Sequence, residues 1–102
     1  MAIPARPRER APTHPGLFVQ EDILVELGMT QQQLADALGV SRRTISQIVN
    51  TQRGISAEMA LRLSKFTGTS AEYWLNLQEA WDLWHARKAA KADLAKIKPL
   101  VA

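Results

Sequence analysis

The chain has no cysteine, which excludes disulfides, thiolate metal sites and thiol nucleophiles. No stretch approaches the roughly 18 consecutive apolar residues that a membrane-spanning helix requires. The opening segment MAIPARPRERAPTHPG has no apolar core of the signal-peptide kind, so a cytoplasmic location is expected. The common catalytic signatures are missing too: there is no H-E-x-x-H, no nucleophile elbow and no phosphate-binding loop. His14 and His85 have no neighbours in sequence that suggest a proton relay, and Asp36, Glu58 and Glu79 stand singly. Neither an enzyme, nor a metal site, nor a cofactor is expected.

What is present describes one small globular domain. With 102 residues, 46% of them apolar and 23% charged, the composition suits a packed core. A domain of this size buries only about 60–65% of its unfolded surface, so association with a second copy would help it. The net charge of +3 modestly favours an anionic partner. Its distribution is more telling. Gly28 to Ser70 carries five basic residues against two acidic ones, whereas Leu17 to Leu27 carries three acids and no base.

Residues 1–14 hold three prolines and three arginines, a composition that reads as a flexible arm. Pro15 suits the first turn of a helix, and GLFVQEDILVELG continues it to Gly28. On an α-helical wheel Leu17, Leu24 and Leu27 share one face. Phe18 and Val25 form a second strip expected to be further core. Thr30 with Gln33 forms a capping box ahead of QQQLADAL. Ser41 caps a third helix, Arg42 to Asn50, and TQRGI is a loop. Ser56 caps a fourth, Ala57 to about Thr67, with Met59, Ala60, Leu63 and Phe66 facing inward, and Gly68 ends it. Ser70 opens a longer last helix, which can run to roughly Lys96 before Pro99 forbids continuation. The expected fold is all-α with five helices, as a domain over 15–96 and a tail over 97–102.

Two short capped helices joined by a tight turn at Gly39 describe a helix-turn-helix. Leu34, Ala35, Leu38, Val40, Ile45 and Ile48 are the positions that must pack where the helices cross. On the third helix, taking Arg42 as zero at about 100° per residue, Ser46, Asn50, Arg43 and Gln47 fall between about 40° and 140°. Ile48, Ile45 and Val49 fall between about 240° and 340°. One face anchors the helix, and the other projects guanidinium, amide and hydroxyl groups able to address base edges in a major groove. Arg42, Arg43, Ser46 and Gln47 are the candidate base readers. Gln31, Ser41, Thr44, Thr51, Gln52 and Arg53 are candidate phosphate contacts, and Ser41 and Thr44 read equally well as caps. Arg62 and Lys65 read as surface charge.

TQQQLADALGVSRRTISQIVN resembles the phage-repressor-like helix-turn-helix class, with its T-Q-x-x-L-A-x-x-x-G-V-S pattern. HPG at His14–Gly16 and the run from Gly39 to Leu83 extend the resemblance to the HigA antitoxins. W-L-N-L-Q at Trp74–Gln78 is its most specific part, because a bare helix-turn-helix does not need it. The resemblance implies an antitoxin of a type II toxin–antitoxin system. Such a protein silences a small, basic, RelE-like messenger-RNA-cleaving toxin and binds a palindromic double-stranded operator as a dimer, repressing its own operon. By position, base reading falls on Arg42, Arg43, Ser46 and Gln47. The basic stretch HARKAAKADLAKIK lies outside the resemblance, and the toxin-binding surface does not transfer residue by residue.

Trp74, Leu77, Trp81 and Trp84 recur at spacings of three, four and three on the last helix. Trp74 and Leu77 are expected to close the core. Trp81 and Trp84 extend beyond it and are candidates for a homodimer or toxin interface. A two-fold dimer would set two recognition helices about 34 Å apart, matching a palindrome of one helical turn. The alternatives are a stand-alone transcriptional regulator with the same DNA chemistry, and a protein-binding adaptor that does not touch DNA.

Overall fold

The structure is a computed structural model that describes residues 10–101. Most of the expected arm therefore lies outside the described residues, as does Ala102 at the end of the expected tail. The arm's last residue is part of the fold: His14 is only 3% exposed. Its Nδ1 accepts the Gly16 N–H at 2.9 Å and so caps the first helix. The packed fold thus begins one residue earlier than expected, because an imidazole satisfies an N-terminal amide that serine or asparagine usually serves.

Among the described residues every regular element is a helix, with no strand. α1 (Pro15–Phe18) runs directly into a π-helical segment, Val19–Val25. α2 (Gln31–Leu38), α3 (Arg42–Val49), α4 (Ala57–Thr67), α5 (Ala71–Ala89) and a short α6 (Lys91–Ala95) follow. Each of α2 to α5 starts at a hydroxyl cap: Thr30, Ser41, Ser56 and Ser70 all accept a backbone N–H at 3.1 Å. The Thr30 box is complete, since the Thr30 N–H donates back to Gln33 Oε1 at 2.9 Å.

The π-helical segment corrects the expected inward face of the first helix. Wide turns, such as the Glu26 N–H to Glu21 carbonyl bond of 3.1 Å, shift the register away from a 3.6-residue wheel. Val19 and Ile23, four residues apart, become the buried line, with Pro15 continuing it. Leu24 is buried as expected, but Leu17, Val25 and Leu27 are exposed. Phe66 on α4 also stays half-exposed, because it lies at the rim of a cavity rather than beneath a neighbour.

The last helix is also shorter than expected, ending at Ala89 and restarting at Lys91 after a residue with ψ 6°. No proline or glycine forces the break. Lys91 to Val101 are exposed, so tertiary packing does not hold the helix continuous there. The described residues thus hold six α-helices where five were expected. No helix among the described residues is long and apolar enough to cross a membrane.

Candidate nucleic-acid interface

The α2–α3 unit is built around side chains withdrawn from solvent. Leu34, Ala35 and Ile45 are fully buried, Ile48 is 1% exposed, and Val40 packs against the same cluster. The small Ala35 lets the helices approach. Gly39 makes the turn at φ 70°, a region that side chains with a Cβ resist. The turn is held from outside by Arg62, whose Nη1 donates to the Leu38 carbonyl at 2.7 Å while Nη2 pairs with Glu58 at 2.8 Å. Arg62 is therefore a cap on the C-terminus of α2 rather than free surface charge. The sequence offers only the Glu58–Arg62 spacing as a hint.

On α3 the division into two faces is as the wheel places it. Ile45, Ile48 and Val49 are buried, Arg42, Arg43 and Asn50 are exposed, and Ser46 and Gln47 are half-buried between them. Asn50 Nδ2 reaches Ser46 Oγ at 3.4 Å. Gln47 Oε1 is shielded from solvent and meets no donor among the described residues.

Three of the candidate phosphate contacts form one connected group. Ser41 Oγ accepts the Thr44 N–H and lies 2.9 Å from Thr44 Oγ1. Thr44 Oγ1 in turn accepts from Arg53 Nη1 at 3.3 Å. Gln31 stands half-buried in the first turn of α2. Thr51 and Gln52 are exposed in the turn that ends α3. That turn is closed by Thr51 N–H to the Ile48 carbonyl (3.0 Å) and Gln52 N–H to the Gln47 carbonyl (2.8 Å). Thr51 sits at φ 58°, which is unusual for a β-branched residue and is held by this pair of bonds.

Two supports of α3 were not anticipated residue by residue. The first is Gly16: a Cβ there would fall on the Ile48 carbonyl oxygen, so α1 touches the backbone of α3 directly. HPG is thus a cap, a helix-starting proline and a point of closest approach. The second is Gln78, whose Oε1 accepts the Ile55 N–H at 2.7 Å and whose Nε2 donates to Asp82 at 2.9 Å. The same amide lies against Gly54, where a Cβ would come within 2.8 Å of it. Trp74 is 2% exposed and donates its Nε1–H to Thr69 Oγ1 at 2.9 Å. Trp-Leu-Asn-Leu-Gln therefore ties α5 both to the core and to the loop that follows α3.

Trp81 and Trp84 are half-buried. Trp81 packs edge-on to His14, with ring centroids 4.9 Å apart, and lies 4.2 Å from the His85 ring. The Lys88 ammonium sits 5.1 Å from the Trp84 ring centre. Burial lowers the His14 pKa from 6.5, and the Asp82 carboxylate opposes the shift.

A family model for the helix-turn-helix matches residues 21–74. The chain is 35% identical over 95 residues to antitoxin HigA-1 of Vibrio cholerae, covering 93% of this chain and 90% of that protein. Among solved structures, the Pseudomonas aeruginosa antitoxin HigA with the higBA promoter superposes with a TM-score of 0.83 at 42% identity. It covers 88% of this chain and 99% of that one. Antitoxin GraA in complex with its operator gives a TM-score of 0.84 at 38% identity, covering 96% and 100%.

Proposed function

This chain belongs to the HigA-type branch of the helix-turn-helix family of DNA-binding repressors, and from that premise we propose that it is an antitoxin and autorepressor. It acts in the cytoplasm as a homodimer on a palindromic operator of its own operon. It also neutralises a small, basic, RelE-like messenger-RNA-cleaving toxin. The observation that carries the DNA half is the outer face of α3, where Arg42 and Arg43 stand exposed over buried Ile45 and Ile48.

Arg42, Arg43, Ser46 and Gln47 read base edges. Gln31, Ser41, Thr44, Thr51, Gln52 and Arg53 hold phosphates and set the register. Ser41 also caps α3, and its 2.9 Å contact with Thr44 Oγ1 holds both hydroxyls before DNA arrives. Trp81 and Trp84 contribute to the homodimer or toxin interface.

Co-expression with the adjacent reading frame tests the proposal. The neighbour alone should arrest growth, this chain should restore it, and the two should purify together. A neighbour that is harmless and never co-purifies overturns the antitoxin half and leaves a stand-alone regulator. A gel shift on the gene's own promoter that ignores both salt and Arg43→Ala overturns the DNA half, because phosphate neutralisation makes affinity fall with salt.

A further inference from the structure

The outward side of the first helix is unusual for a chain of net charge +3. Leu17, Val25 and Leu27 are 44%, 58% and 57% exposed, and the carboxylates of Glu21, Asp22 and Glu26 are exposed among them. No cation falls between Leu17 and Leu27. A surface of this sign repels a phosphate backbone, so DNA is not its occupant. Asp22 and Leu27 also form one side of a cavity of about 360 Å³, which Phe66 and Tyr73 border and the buried Trp74 underlies. Its lining is mixed, with Ile23 and Leu27 beside Asp22, Thr67, Thr69 and Tyr73.

We propose that this face and its cavity are the docking surface for a basic protein partner, with an arginine or lysine side chain of that partner seated in the cavity. The aliphatic stem of such a side chain would lie against Leu27 and Phe66, with its cationic head at Asp22 and beside the Tyr73 ring. Glu21 and Glu26 supply the surrounding field that steers a cationic surface in, and Leu17 and Val25 supply apolar contact area. A second copy of this chain suits the surface poorly. A two-fold contact through the patch would set the same carboxylates against one another. The inference rests on the antitoxin reading and assigns the toxin's place on this chain.

The test is titration of the purified full-length chain against the product of the adjacent reading frame, in a salt series. Affinity should fall as salt rises, and Asp22→Lys should weaken it about 10-fold or more. Asp22→Asn should give a smaller loss by removing the charge alone. None of these residues belongs to α3 or the loop after it, so a retained gel shift on the operator shows that each variant is folded. Equal affinity for wild type and Asp22→Lys overturns the docking surface while leaving the antitoxin reading intact. No binding by wild type overturns both. A shift of Asp22→Lys toward monomer, with toxin affinity unchanged, assigns the face to a second copy and overturns the proposal.

Discussion

The backbone N–H of Ile55 donates to Gln78 Oε1 at 2.7 Å, so a residue on α5 holds the loop that follows α3. Asp82 fixes the orientation of the amide by accepting from its Nε2. Leucine at position 78 would fill similar space but leave the Ile55 N–H without its partner, at a cost of about 1–3 kcal/mol. Gln78→Leu should therefore lower the unfolding midpoint in urea. It should also weaken operator binding beyond what the lost stability explains, because Gln52 and Arg53 lie just before the clamp. Operator affinity equal to wild type in fully folded Gln78→Leu would remove the clamp from DNA binding.

Gly16 and Gly54, on either side of α3, should respond differently to alanine. At Gly54 the obstacle is the Gln78 amide, which can turn aside only by giving up its bond to the Ile55 N–H, so a loss of about 1–2 kcal/mol is expected. At Gly16 the obstacle is the Ile48 carbonyl, and backbone cannot turn aside. Gly16→Ala should cost about 3 kcal/mol and force α1 away from α3. Urea denaturation of both variants checks the order. A Gly16→Ala protein as stable as wild type would contradict the close approach.

The sequence exposed α3 so fully because capping residues and period are local properties. Ser41, Gly39 and the spacing of Ile45 and Ile48 act within one or two turns, and their pattern survives any tertiary arrangement. The first helix misleads for the same reason in reverse. A 3.6-residue wheel assumes the very geometry that the π-helical segment abandons, and so it places Leu17 and Leu27 inward. Arg62 and Gln78 were opaque because their partners, Leu38 and Ile55, are 24 and 23 residues away and are backbone groups. Any residue type presents such a carbonyl or amide, so no motif records the pairing.

Stability should fall in mild acid through His14. Burial holds the folded-state pKa below the ordinary 6.5, so the unfolded chain takes up this proton first as pH decreases. Above that value both states carry a neutral ring and the group has no effect on stability. Below it the folded state loses ground until the folded pKa is passed. Protonation also removes the Nδ1 acceptor that caps Gly16. Thermal melts from pH 8 to 5 should show this decline, and His14→Asn should flatten it while retaining a cap. An identical pH profile in the variant would rule His14 out as the source.

The proposed recognition face combines two kinds of contact. Arg42→Ala or Arg43→Ala should each cost about 1–3 kcal/mol on the preferred operator and relax base preference. Gln31→Ala should weaken binding to all sequences alike, since a phosphate contact carries no base information. Binding to operator variants with single base changes distinguishes the two. A base-selective loss for Gln31→Ala would reverse its assignment, and unchanged affinity for both arginine variants would remove α3 as the reader.

Of the two tryptophans, Trp84 is the cleaner probe of assembly. Trp81 packs on His14 and His85 within its own chain, so Trp81→Ala removes internal contacts together with any external ones. A lower melting temperature is then expected whatever the oligomeric state. Trp84 lies one turn further along α5, half-buried, with Lys88 beside its ring. Trp84→Ala should leave the monomer's melting nearly unchanged and shift sedimentation toward monomer as concentration falls. Because a single recognition helix makes few contacts, that dissociation should also weaken binding to a two-site operator far more than to a half-site. Sedimentation matching wild type at every concentration would take Trp84 out of the dimer interface and leave the toxin as its candidate partner.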